Sequence, residues 1–377
     1  MSNSTIQQLA DYGQSIWLDY ISRSLLETDK LKNLIKDGLR GMTSNPSIFN
    51  QAIGSSNDYD EKISQLKSEG KSTFEIYDAL TIQDIQDATD IFKGVYESTN
   101  ALDGYVSLEI NPQLANDAQV SIKEGLRLYK EVNRPNVMIK VPATSEGYPV
   151  IEELTAQGIN VNATLIFSLA QYEQTVLAYL RGLKRLAQTT DDLSKVHSVA
   201  SVFISRIDAA VDKLIEDEVA KDADDSHKAR LLTLCGRAAV ANSRIIFEKS
   251  KEMFSSQEFQ DLITKKANIQ RVLWASTGTK NPDYSDVKYV TELIASPTVN
   301  TLPAKTLMAF LDHGEVKGAF DYDFSEAQEC IDALAMAGID VDQVCQQLLE
   351  AGVVAFEKAF EELFDSIVKK AEQFSAV

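Results

Sequence analysis

Lys140 lies inside an apolar run, Val137-Met138-Ile139-Lys140-Val141-Pro142, followed by the small polar turn Ala143-Thr144-Ser145-Glu146-Gly147. An apolar run closed by a proline reads as a short buried strand. Side chains alternate across a strand, so Val137, Ile139 and Val141 share one face while Met138 and Lys140 share the other. That sends an amine to the interior. A strand-end lysine ordinarily snorkels or pairs with an acid. Its chemical alternative is an amine that desolvation keeps neutral enough to attack a carbonyl and form a Schiff base. Its neighbours decide between the two.

Those neighbours include no histidine or cysteine chemistry. His197, His227 and His313 are scattered, Cys235, Cys330 and Cys345 lack metal-ligand spacing, and the cysteines read as buried free thiols. Acid and base work must fall to carboxylates and lysine. The net charge of -19 argues against nucleic acid and anionic membranes, so an anionic small substrate would need a local basic pocket. The amino terminus is polar and no run approaches a membrane span, so a cytoplasmic protein is expected.

The elements that must position the lysine alternate along the chain. Strands are expected at 15–20, 38–43, 102–110, 137–142, 159–164, 197–203, 269–276 and 297–301. Helices are expected at 22–35, across most of 54–100, and at 114–132, 148–157, 168–187 and 204–254, with a short one at 289–294. From Ala304 on the chain reads as helical, ending in an amphipathic acidic tail from Val341 to Phe374. Strands alternating with helices imply parallel pairing by right-handed crossovers, and eight of them make a closed (β/α)8 TIM barrel the economical architecture. Extra helices fall between the second and third strands and at the carboxy terminus. With 44% apolar residues and no linker, 1–377 is expected to be a single domain, with 304–377 a helical extension packed on the barrel.

In such a barrel, strand carboxyl ends and the loops beyond them build the site. Alternation, with the loop positions just beyond the strands, then gathers Asp19, Thr43, Asn45, Glu109, Lys140, Asn162, Thr164, Ser201, Phe203, Arg206 and Ser276 at one mouth. Two carboxylates, an amine, two amides and several hydroxyls would be a costly core filling. A catalytic cleft accounts for them better. The set suits carbonyl chemistry through an iminium that acts as an electron sink for making or cleaving a carbon–carbon bond. Arg206, Ser276 and Lys280 lie beyond late strands, where barrels often hold phosphate; the competing reading of Arg206 is a surface pair with Asp208 or Asp212.

Four segments together resemble the transaldolase family: Thr43-Ser44-Asn45-Pro46-Ser47, Ile139-Lys140 with its Ala143–Gly147 turn, Asn162-Ala163-Thr164-Leu165-Ile166-Phe167-Ser168, and Ser201-Val202-Phe203-Ile204-Ser205-Arg206-Ile207-Asp208. The resemblance runs from about Asp19 to Thr301. It implies a class I aldolase-type barrel of the pentose phosphate pathway that needs no metal or organic cofactor. Such an enzyme moves a dihydroxyacetone unit from a ketose phosphate, such as sedoheptulose 7-phosphate or fructose 6-phosphate, to an aldose phosphate. Carried over by motif, Lys140 would form the Schiff base, Asp19 would act on the donor C4 hydroxyl, and Glu109 and Thr164 would hold the catalytic water. Thr43, Asn45, Asn162 and Ser201 would bind the dihydroxyacetone portion, Phe203 would line the pocket, and Arg206 with Ser276 would bind phosphate.

Two departures look like the longer bacterial subgroup. The first strand has Asp19-Tyr20 in place of Asp-Thr, and Ser276 is followed by Thr277-Gly278-Thr279-Lys280 rather than Phe-Arg, which nominates Lys280 as the second phosphate cation. The rival readings are a fructose-6-phosphate aldolase-like lyase that releases free dihydroxyacetone, and a non-catalytic barrel that only binds. The oligomeric state is left between monomer and homodimer.

Overall fold

Eight strands pair in parallel in chain order and the last pairs with the first, so the sheet closes into a barrel. The computed structural model describes residues 4–221, 223–320 and 324–373. The strands are β1 (Gln14–Asp19), β2 (Gly41–Thr43), β3 (Val106–Glu109), β4 (Val137–Pro142), β5 (Val161–Ile166), β6 (Ser198–Phe203), β7 (Gln270–Ala275) and β8 (Thr298–Leu302). The expected (β/α)8 architecture is the one observed, with helices between the strands and the extra helices where the sequence places them.

Strand bounds shift for local reasons. β2 starts late because Gly38 and Leu39 still donate their amides to Ile35 and Leu34, closing the helix Asp29–Lys36. β3 starts late because Leu102 and Asp103 are tied to Thr99 at the end of the preceding helix. β5 runs past Thr164 to Ile166 over an irregularity in its pairing with β6, and Leu165 there takes a left-handed φ of 58°. The expected helix over 22–35 is two helices, Arg23–Leu26 and Asp29–Lys36, because Ser22 caps the first and the chain restarts at Thr28. The expected stretch 54–100 resolves into Asp60–Ser68 and Thr73–Ser98, preceded by a separate helix Pro46–Ser55, and 204–254 into Ser205–Lys221, Asp225–Leu232 and Ala238–Phe254. Beyond Ala304, residues 314–320 are not helical; the tail helix is Val341–Gln373, and Phe374 lies outside the described residues.

Outward strand faces supply the core between sheet and helices, with Ile16, Leu18, Leu108, Ile139, Val161 and Val202 almost wholly buried. The inward faces are more polar. At the amino-terminal end of the barrel Arg271 Nη2 pairs with Asp103 Oδ1 at 2.8 Å, and Asp103 also accepts from Ser15 Oγ at 2.7 Å. In the next layer Ser201 Oγ donates to Asn162 Oδ1 at 2.6 Å and Asn162 Nδ2 to Ser107 Oγ at 3.0 Å. Arg271, Asp103, Ser15, Ser201, Asn162 and Ser107 are thus partnered among themselves, as burial demands.

The tail helix crosses the opposite, carboxyl end. Cys345 Sγ donates to the Phe167 carbonyl at 3.4 Å, Ser366 Oγ to Asn50 Oδ1 at 3.0 Å, and Lys370 pairs with Asp60 at 2.5 Å. It thus reaches from the loop after β5 to the helices of the β2–β3 excursion. Cys330 and Cys345 are buried free thiols as expected, whereas Cys235 is half-buried because it lies in the turn before the helix Ala238–Phe254. Among the described residues no helix is long and apolar enough to cross a membrane.

Candidate active site

A cavity of about 230 Å³ opens at the carboxyl end of the strands. Its lining includes ten of the twelve residues singled out by sequence: Asp19, Thr43, Asn45, Lys140, Thr164, Ser201, Phe203, Arg206, Ser276 and Lys280. Glu109 and Asn162 lie just beneath the lining. Glu109 sits in register beside Lys140, which is in turn in register with Asn162.

Lys140 is 5% exposed, and its inward position follows from strand alternation in β4. Its Nζ lies 3.6 Å from Glu109 Oε2 and donates to the Ser44 carbonyl at 3.3 Å. The turn beyond β4 is tight: a Cβ on Gly147 would stand 1.9 Å from the Pro142 carbonyl oxygen, so only glycine fits where the Ala143–Gly147 turn folds back on the strand. Burial pushes the Glu109 carboxyl up to about 7, against the pull of the Lys140 charge and with a smaller push from Asp19. Burial also raises Asp19, while the Lys140 charge, the Thr43 hydrogen bond and the Lys280 charge hold it back. Thr43 Oγ1 donates to Asp19 Oδ1 at 2.6 Å and sits 2.7 Å from Thr301 Oγ1.

Two buried oxygens here, Glu109 Oε2 and Thr164 Oγ1, have no hydrogen-bond partner. Five other buried side-chain atoms among the described residues also lack one, so what distinguishes these two is their position at the Lys140 cavity. Asn45 fulfils its structural reading as well as its chemical one: its Oδ1 caps the helix Pro46–Ser55 by accepting from Ile48 N at 3.0 Å, while the residue still lines the cavity.

The far end of the cavity is cationic. Arg206 stands in the first turn of the helix Ser205–Lys221, its guanidinium 5.9 Å from the Phe203 ring centroid. The expected alternative pair with Asp208 or Asp212 does not form. Asp208 accepts from Ala239 N and Tyr289 Oη, and Asp212 from Gly236 N and Tyr284 Oη, so neither carboxylate is left for the arginine. Desolvation lowers the Arg206 pKa. Neither Arg206 nor the exposed Lys280 is ion-paired among the described residues. Ser276 would point outward by alternation, but its left-handed φ of 55° lets it line the mouth, with Oγ 3.2 Å from Ser205 Oγ. Among the described residues two cations without an ion pair thus stand beside hydroxyls and a helix amino terminus, an arrangement whose chemistry suits an anion.

The structure adds Ser47, Gln51, Thr301 and Phe356 to the lining. Alternation on β8 could have flagged Thr301, and helical spacing after Asn45 could have flagged Ser47 and Gln51. Phe356 carries no local signal, because one apolar residue in an amphipathic helix reads as core. No group of three or more His, Cys, Asp or Glu side chains suited to a metal ion occurs among the described residues.

The family model for transaldolase and fructose-6-phosphate aldolase matches residues 16–367. A protein called transaldolase 2 from a Nostoc species is 43% identical, over all of both chains. A transaldolase from Trichodesmium erythraeum is 42% identical, also over all of both chains, and one from Saccharopolyspora erythraea is 42% identical over 99% of each.

Proposed function

The chain belongs to the transaldolase/fructose-6-phosphate aldolase family, and from that premise we propose how its residues divide the work of a transaldolase. The reaction moves a dihydroxyacetone unit from a ketose phosphate to an aldose phosphate through a lysine Schiff base, a step of the pentose phosphate pathway. The observation that carries the assignment is Lys140 Nζ buried at the cavity floor with Glu109 at 3.6 Å and Asp19 across the mouth.

In this reading the Lys140 amine attacks the donor C2 carbonyl, and water leaves to give the iminium. Glu109 and Thr164, whose free buried oxygens need partners, hold that water and return it for hydrolysis. Asp19 takes the proton of the C4 hydroxyl, the C3–C4 bond breaks, and its electron pair passes into the iminium. Thr43, Asn45, Asn162 and Ser201 bind and orient the three-carbon unit, and Phe203 walls the pocket. Arg206, Ser276 and Lys280 hold the phosphate of donor and acceptor in turn. Sugar phosphates are the substrates; we place the enzyme in the cytoplasm, where such charged sugars are retained. We also assign 1–377 to one domain, with 304–377 as an extension that covers part of the barrel mouth.

Borohydride reduction in the presence of fructose 6-phosphate tests the central step. It should fix a stable adduct mapped to Lys140, absent in Lys140→Met, which should retain the fold but lose at least about 10⁴-fold in turnover. An adduct on another lysine would reject the assignment. Release of dihydroxyacetone at the same rate with and without an aldose phosphate would favour the lyase instead.

A further inference from the structure

The tail helix delivers an aromatic ring to the cavity that holds Lys140. Phe356 lines it, is 5% exposed, and its ring centroid lies 5.7 Å from Lys140 Nζ. The ring is held from both sides along its helix. One turn before it, a Cβ on Gly352 would stand 3.1 Å from Leu165 Cδ2, so the helix backbone rests on the residue that the left-handed turn beside Thr164 pushes outward. One turn after it, Phe360 packs edge-on against Tyr77 with centroids 5.1 Å apart. The ring offers bulk and a π face but no proton donor or acceptor.

We propose that Phe356 is a specificity-determining residue that makes the enzyme transfer its three-carbon unit rather than release it. The inference rests on the Lys140 Schiff-base reading. After C3–C4 cleavage the bonding pair is shared between C3 and the nitrogen as a neutral enamine. In transfer, C3 attacks the acceptor aldehyde carbon and the aldehyde oxygen takes the proton that Asp19 holds. In release, C3 instead takes a proton, water adds to C2, and the C2–N bond breaks to free dihydroxyacetone and the amine. No electron acceptor is needed on either route, and both end with the water that Glu109 and Thr164 hold adding to C2; release alone requires a proton delivered to C3. A ring centred 5.7 Å from the nitrogen comes into van der Waals range of a carbon bonded to that nitrogen, and so covers that approach. Between departure of one aldose and arrival of the next, that cover is what protects the enamine.

The test measures free dihydroxyacetone against new sugar phosphate, with fructose 6-phosphate as donor and a four-carbon aldose phosphate as acceptor. Phe356→Ala should raise the ratio of released to transferred unit by about tenfold or more while the borohydride adduct on Lys140 still forms. Phe356→Leu, which keeps apolar bulk, should lie nearer the native ratio. Gly352→Val, outside the cavity, should lift the helix off Leu165 and shift the ratio the same way. An unchanged ratio in Phe356→Ala with the adduct intact overturns the proposal, as does loss of the adduct in a folded Phe356→Ala protein. If Phe356→Ala does not fold, an unchanged ratio in Gly352→Val overturns it. Absence of the Lys140 adduct in the native enzyme would instead sink the Schiff-base reading itself, so the two failures are separable.

Discussion

Lys140 and Glu109 stand in register on neighbouring strands, and their side chains meet 3.6 Å apart at the floor of the cavity. Neither is more than 6% exposed. The pair is too long for a tight hydrogen bond and near enough for the two charges to control each other. In the proposed mechanism the amine sheds and regains a proton each cycle, and the carboxyl that burial raises to about 7 is placed to exchange one with it.

Glu109→Gln should therefore lower kcat by about 10²- to 10⁴-fold with the fold intact. Burial raises this carboxyl from an ordinary 4.5 to about 7, so native kcat/KM should fall as pH drops below about 7, and this acid limb should vanish in the variant. The stability sign follows from the same shift. The folded state holds the proton more tightly than the unfolded chain, so the contribution is fully present below about 4.5 and is lost as pH rises through about 7. Thermal unfolding of native and variant protein from pH 5 to pH 8.5 should show Glu109→Gln gaining relative stability toward the alkaline end.

Asp19→Asn should separate capture from cleavage. The amide oxygen can still accept from Thr43 Oγ1, so the mouth keeps its geometry. The borohydride adduct at Lys140 should form at near-native yield, while C3–C4 cleavage slows about 10²- to 10⁴-fold. An equal loss of adduct would show that Asp19 acts earlier than proposed.

Arg206→Ala and Lys280→Ala should weaken substrate binding more than turnover. Loss of a charge-assisted hydrogen bond costs about 1.5–3 kcal/mol, a rise in KM for fructose 6-phosphate of about 10- to 150-fold. Activity on unphosphorylated fructose should change little. A Lys280→Ala enzyme with native KM would remove that lysine from the phosphate site.

Asp103→Ala tests the opposite end of the barrel. Arg271 and Asp103 are 7% and 6% exposed at the side chain, and deleting the acid strands a buried guanidinium. Denaturant titration should show a loss of about 3–5 kcal/mol, with turnover per folded molecule unchanged because the pair is remote from the cavity.

Alternation carried most of the site. Asp19, Thr43, Glu109, Lys140, Thr164 and Ser201 were readable as inward residues because a strand's backbone dictates side-chain direction two residues at a time. Thr301 is equally readable by parity on β8, and it meets Thr43 Oγ1 at 2.7 Å. Ser276 followed another rule: its left-handed backbone, not its parity, brings it to the mouth. The break between the helices Arg23–Leu26 and Asp29–Lys36 was missed because apolar periodicity persists across it, while the caps that divide them are single polar residues.

By itself the sequence determined the alternation of strands and helices, the parity that points an amine and two acids inward, and the motifs of an aldolase-type barrel. These depend on neighbours within a few residues, where backbone geometry leaves few choices. Tertiary structure alone decided which charges stay unpaired and what roofs the cavity. Among the described residues Arg206 forms no ion pair, while Tyr289, Tyr284 and two backbone amides occupy Asp208 and Asp212, and Phe356 comes to Lys140 because a glycine lets a distant helix settle on Leu165. Both outcomes are competitions between groups far apart in the chain, and only their positions in space determine the winner.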